Sequence, residues 1–128
     1  KSRRSRSKSR SKLKRLSKLS RKYTYYARRF NRMARKTKNS KRKKYYLRKA
    51  KRYSQLAKKY NKSVRVAKSK RFSQLSKKYA SIAQKYSRFS KKTKNRRLKR
   101  SYSRRSQRYS RMSKRYSNIS KRLLMSES

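Results

Sequence analysis

Lysine and arginine supply 52 of the 128 side chains, against one acid, Glu127, and no histidine, for a formal net charge of +51. The chemistry open to such a set is the holding of anions, and phosphate above all, because a row of cations releases the counterions that a polyphosphate condenses. Proton transfer, covalent attack and metal ligation have almost no material. The chain has no His, no Cys, no Asp and no glycine-rich phosphate loop, so acid–base pairs, nucleophile triads and common metal sites cannot be assembled. An enzyme is therefore not expected, and neither is a cofactor.

The candidate phosphate contacts fall into three groups. Arg3, Arg4, Arg6 and Arg10 stand in the Ser/Arg-rich opening KSRRSRSKSRSK. Arg15, Lys22, Arg52, Lys59, Arg71, Lys78, Arg108 and Arg115, with Arg21, Lys58, Lys77 and Lys114 beside them, recur at sevenfold spacing along the chain. Lys36 and Lys38, and again Lys92 and Lys94, stand within the repeated word KTKN at 36–39 and 92–95. Ordinary solvated faces mix signs and this one does not, which argues for an anionic partner. Base readout needs a few Arg, Asn or Gln at unique places, whereas these positions repeat and interchange Lys with Arg, as backbone contacts permit. Binding without sequence preference is expected.

Tyrosine is the second chemical resource, with 12 copies. Tyrosines can stack on bases of a single strand, but their regular spacing predicts packing between helices, with hydroxyls at the edge of the interface. Serines are read as small residues at close contacts. In the tail, Ser2, Ser5, Ser7, Ser9 and Ser11 are open both to phosphorylation and to a plain spacing role between arginines.

The elements that must position these residues show in the heptad pattern. Large apolar residues occupy a and d positions: Leu16, Leu19, Tyr23, Tyr26, Phe30 and Met33; Tyr53, Leu56 and Tyr60; Phe72, Leu75, Tyr79, Ile82, Tyr86 and Phe89; and Tyr109, Met112, Tyr116, Ile119 and Leu123. Positions b and e are small, as at Ser17, Ser20, Ala27 and Ala34, and positions c, f and g hold most of the cations. Each helix thus has a wide aromatic and small face and an opposite basic face. The phase slips at 37–45, 61–71 and 93–101, where turns or sharp bends are expected.

A ten-residue block occurs four times, as KRLSKLSRKY at 14–23, KRYSQLAKKY at 51–60, KRFSQLSKKY at 70–79 and QRYSRMSKRY at 107–116. Aligning 14–67 with 70–123 without gaps gives 21 identities in 54 positions, which predicts a tandem duplication. The expected organisation is a basic tail at 1–13, one helical repeat at 14–69 and another at 70–128.

Composition bounds the rest. With 30% hydrophobic residues no sizeable globular core can be built, and the charge-to-hydropathy balance is that of a disordered chain until its charge is neutralised. Gly and Pro are both absent, which favours long helices. No apolar run is long enough to span a bilayer. The fold class expected is all-α: elongated amphipathic helices in two tandem helix-turn-helix repeats, without a globular core, ordered on nucleic acid.

In composition the chain resembles protamine-like sperm nuclear proteins and the small basic core proteins of DNA viruses. Its long helices with aromatic seams and basic outer faces look more like the helical nucleocapsid proteins of filamentous archaeal viruses. That resemblance implies a protein sheath on duplex DNA, many copies of the chain, with or without a second capsid protein, and location in a virion; a condensed sperm nucleus is the alternative. Duplex DNA carries one charge per about 1.7 Å, so 51 cations match roughly 25 base pairs, the stoichiometry of packaging. An RNA-bound structural protein of ribosomal type and a membrane-active basic helix are the other classes open to such a chain. The Ser-rich apolar arc argues against the latter.

Overall fold

The computed structural model describes residues 2–125, with side chains described for Lys8 and for residues 10–125. Helix accounts for 95% of the described residues, and there is no strand among them. The three helices are α1 (Ser2–Lys36), α2 (Ser40–Lys92) and α3 (Arg96–Met125). Lys, Arg, Ala, Leu and Gln have high helix propensity, and neither Gly nor Pro interrupts them. Residues 2–13, expected as a tail, are the first turns of α1.

Both turns are built without glycine. At the end of α1 the Thr37 N–H still donates to the Met33 carbonyl at 3.1 Å, and the Thr37 hydroxyl oxygen accepts from the Asn39 N–H at 3.3 Å. Asn39 then caps α2, its side-chain oxygen accepting from the Lys41 and Arg42 N–H groups at 3.0 and 3.2 Å. The second turn uses the same bonds. Thr93 N–H donates to Phe89 at 3.1 Å, Thr93 accepts from Asn95 at 3.3 Å, and Asn95 caps α3 through Arg97 and Leu98 at 3.0 and 3.3 Å. No described residue has positive φ, so no position calls for a glycine.

The expected turn at 61–71 does not exist, because α2 runs unbroken from Ser40 to Lys92. That stretch contains neither Gly nor Pro, and the Ser63 hydroxyl donates to the Lys59 carbonyl at 3.2 Å within the continuing helix. The phase slip has another cause. The chain divides into two compact units, Lys1–Arg65 and Val66–Ser128, and α2 packs on α1 in the first and on α3 in the second. The slip marks a change of partner within one helix.

Each unit is an antiparallel helical hairpin, and its most buried residues are small. Ala27, Ala34, Ala50 and Ala57 are buried in the first with Ser20; Ala83, Ser69 and Ser120 are buried in the second. All lie at heptad position e. The interface is therefore centred on e, with the aromatic a positions on one flank and the polar b positions on the other, rather than on the a/d line that the large residues suggested. Apart from Phe89, which is 40% exposed, the predicted seam residues are half-buried.

On the aromatic flank the rings interleave. In the first hairpin Tyr23 stacks on Tyr60 (5.5 Å between centroids) and Tyr53 (5.9 Å), and Tyr53 stacks on Phe30 (5.6 Å). In the second, Tyr79 stacks on Tyr116 (5.6 Å) and Tyr109 (5.8 Å), and Tyr109 on Tyr86 (5.8 Å). These are offset stacks, each adding about 0.5–1.5 kcal/mol beyond burial.

On the centre line of the second hairpin, serines bond across the helices. Ser69 and Ser120 each donate to the other's carbonyl, at 3.0 and 2.7 Å. Ser76 and Ser113 do the same at 2.8 Å in both directions, and Ser106 donates to the Ala83 carbonyl at 2.8 Å. Each carbonyl also serves its own helix, so the hydroxyl takes the second lone pair. Such bonds require backbones in close approach, which only small e residues allow.

Candidate nucleic-acid interface

With e at the centre of each interface, positions c and g face directly away from the partner helix and f lies at the edge. Arg10, Arg15, Arg21, Lys22, Lys36 and Lys38 on the first helix and turn are all exposed. So are Arg52, Lys58, Lys59, Arg71, Lys77, Lys78 and Lys92 on α2, Lys94 in the second turn, and Arg108, Lys114 and Arg115 on α3. The side chains of Arg3, Arg4 and Arg6 lie outside those described, as do those of Ser2, Ser5, Ser7 and Ser9. Ser11 is exposed.

No carboxylate side chain occurs between residues 2 and 125, so the described residues supply these faces with no counter-charge. Two like charges about 10 Å apart cost about 0.4 kcal/mol in water, and each helix repeats that spacing many times. An external polyanion removes this cost. The long stems are partly steadied by rings: Arg105 lies over Tyr86 at 5.6 Å, Lys49 over Tyr45 at 5.7 Å and Lys22 over Tyr26 at 6.0 Å.

The polar flank of the first hairpin adds a feature that heptad reading of the cations missed. Ser20, Thr24, Asn31 and Asn61 floor an open groove whose rim is Arg21, Arg28, Arg32 and Arg35, with Tyr25 beside them. Ser20 donates to the side-chain oxygen of Asn61 across the two helices, and Thr24 donates to the Ser20 carbonyl at 2.8 Å. Tyr25 is 54% exposed, unlike the tyrosines of the stacks. Arg28 and Arg35 follow Arg21 at successive f positions, so carrying the heptad count one and two repeats further would have found them.

Among the described residues there is no group of His, Cys, Asp or Glu that could hold a metal ion, and no helix long and apolar enough to cross a membrane. The arrangement offers repeated, exposed cations on long helices, suited to a line of phosphates. No protein-family model, no curated protein and no solved structure matches this chain.

Proposed function

We propose that the protein is a structural nucleoprotein that binds and condenses double-stranded DNA through its phosphate backbone, without sequence preference. The observation that carries this reading is the exposure of every described candidate cation, at the edges or on the outer faces of the helix pairs, with no carboxylate side chain among residues 2–125. Evenly spaced cations at regular helical intervals suit backbone contacts, and the interchange of Lys with Arg suits indifference to sequence.

Two tandem repeats fit the reading as a covalent pseudo-dimer with two DNA contacts per chain. Supporting the duplication, Tyr23–Tyr60 and Tyr79–Tyr116 are equivalent stacks 56 residues apart, and the two Thr-Lys-Asn turns share their hydrogen bonds. Ordering of the chain on DNA follows from the uncompensated charge. The compartment proposed is a virion in which many copies coat the genome. A condensed sperm nucleus is the alternative, favoured if native material carries abundant phosphoserine.

The test is a salt titration of binding to duplexes of several sequences, paired with light scattering on long DNA. The expected result is a steep linear fall of log K with log salt, of slope about −0.9 per phosphate neutralised, alike for all sequences, and DNA condensation near charge balance. A shallow slope, a strong preference for one sequence, or tighter binding to structured RNA than to duplex DNA would sink the reading.

A further inference from the structure

Ten of the 12 tyrosines stand at a or d positions and are half-buried on the aromatic flanks. Tyr25 and Tyr45 do not: they sit at c and g, and are 54% and 49% exposed. The Lys49 ammonium lies over the Tyr45 ring at 5.7 Å. Tyr25 meets another ring in Tyr26, tilted at 57° rather than laid face to face.

The surroundings of Tyr25 suit an anion. Arg21 and Arg28, four residues before it and three after, are its neighbours on the helix surface, and with Arg32 and Arg35 they rim the groove. From Arg21 to Arg35 the row is about 21 Å long, at a rise of about 1.5 Å per residue. Lys51 and Lys58 hold f positions on the same flank of α2 and are exposed, so both helices contribute charge to it. The groove also presents Thr24, Asn31 and Asn61. The Asn61 side-chain oxygen accepts from Ser20, which leaves its NH2 group to donate.

Hairpin packing does not ask for this set. Residues 56 positions later hold the same heptad places in the second hairpin, where Tyr79, Tyr109 and Tyr116 match Tyr23, Tyr53 and Tyr60. Ser81 stands in place of Tyr25, Gln84 of Arg28, Ala80 of Thr24, and Ser87 and Ser117 of the two asparagines. Of the four arginines only Arg32 meets another, Arg88. The stacked rings are kept while the exposed ring, its neighbouring guanidinium and the amides are exchanged together, so the groove serves something other than closing the hairpin.

Contacts to a duplex backbone use the arginines but not the ring. In a duplex each base is covered by its neighbours, whereas a single strand offers base faces that stack on aromatic side chains, beside phosphates for cations to hold. We propose that the groove of the first hairpin binds an unpaired DNA strand, with a base laid on Tyr25, adjoining phosphates taken bidentately by Arg21 and Arg28, and the Asn31 and Asn61 amides available to base edges. This rests on the DNA-condensing reading and extends it, in one hairpin only, to strand ends, nicks and unpaired stretches.

Three single substitutions in the full chain test it. Tyr25→Ser supplies the side chain found at position 81, Tyr25→Phe keeps the ring, and Tyr45→Ser removes the other exposed ring. None changes the net charge, and circular dichroism checks that helicity is unaltered. Kd is measured at elevated salt, where attraction to phosphate is weakened for every variant alike. The ligands are an oligothymidylate of about 12 nucleotides and a duplex of the same length.

Tyr25→Ser is expected to weaken oligothymidylate binding by about fivefold or more and to leave the duplex Kd within about twofold. Tyr25→Phe and Tyr45→Ser are expected to match the wild type on both ligands. The proposal is overturned if Tyr25→Ser leaves single-strand binding unchanged, if duplex binding falls to the same degree, or if either of the other variants weakens single-strand binding as much. Failure of the wild-type protein to bind the duplex, with the single strand still held through Tyr25, would instead overturn the function proposed above.

Discussion

Ser113 shows how little side chain the hairpins tolerate at their centre. Its hydroxyl donates to the Ser76 carbonyl and its own carbonyl accepts from Ser76, both at 2.8 Å, and the residue 56 positions earlier is Ala57, which is buried. Ser113→Ala removes one hydrogen bond but leaves every buried group a partner, so it should cost about 0.5–1.5 kcal/mol. Ser113→Leu supplies apolar bulk but wedges the helices apart, losing the reciprocal bonds and the neighbouring Tyr109–Tyr79 stack; the loss should exceed about 3 kcal/mol when overpacking is added. Urea unfolding in high salt, where self-repulsion is screened, measures both. Equal effects of Ala and Leu would mean that close approach is not what Ser113 provides.

The turns and the long helix separate what the sequence discloses from what it conceals. Helices, their basic faces and the half-buried aromatics are readable because Tyr23, Phe30, Tyr79 and Tyr86 repeat at heptad spacing, a signal that burial imposes directly. The turns are legible only broadly, since the usual glycine is missing; the Thr-Lys-Asn words at 37–39 and 93–95 carry the signal as an Asn cap preceded by a Thr acceptor. The slip at 61–71 misleads because hydrophobic phase reports where a partner lies, not whether the backbone continues. The e-centred interface and the groove beside Arg28 are hidden for a similar reason: large residues draw attention to a and d, while Ala and Ser decide how near two backbones come. Asn95→Ala should destabilise the second hairpin by about 0.5–2 kcal/mol through loss of the cap on Arg97 and Leu98, read as a lower melting temperature. Val66→Pro should cost about 3 kcal/mol or more by breaking α2 within its length; a variant with undiminished helicity would return 61–71 to a turn.

At the scale of the molecule, charge outweighs everything else. Salt usually weakens ion pairs, but the sequence carries one acidic side chain against 52 basic ones, so screening here removes mainly repulsion. Helicity should therefore rise from about 0.01 M to 1 M salt, as the screening length falls from about 30 to 3 Å; far-UV circular dichroism of the free protein measures it, and a fall would point to attractive contacts of another kind. Histidine is absent, so no side chain with an ordinary pKa between pH 5 and 8 is present to switch DNA binding. Binding isotherms at about pH 5.5 and 8 should coincide. The small-residue centre line has a consequence for how such a chain can change over time. In globular proteins large core residues resist substitution, because each deletion leaves a cavity. Here no described large side chain is fully buried, so Tyr can give way to Phe, Leu or Met at modest cost, and the unforgiving positions are Ala34, Ala50, Ser69 and Ser120, where the next larger residue does not fit. A lineage of such proteins would drift fast in its most conspicuous letters and hold still in its plainest ones.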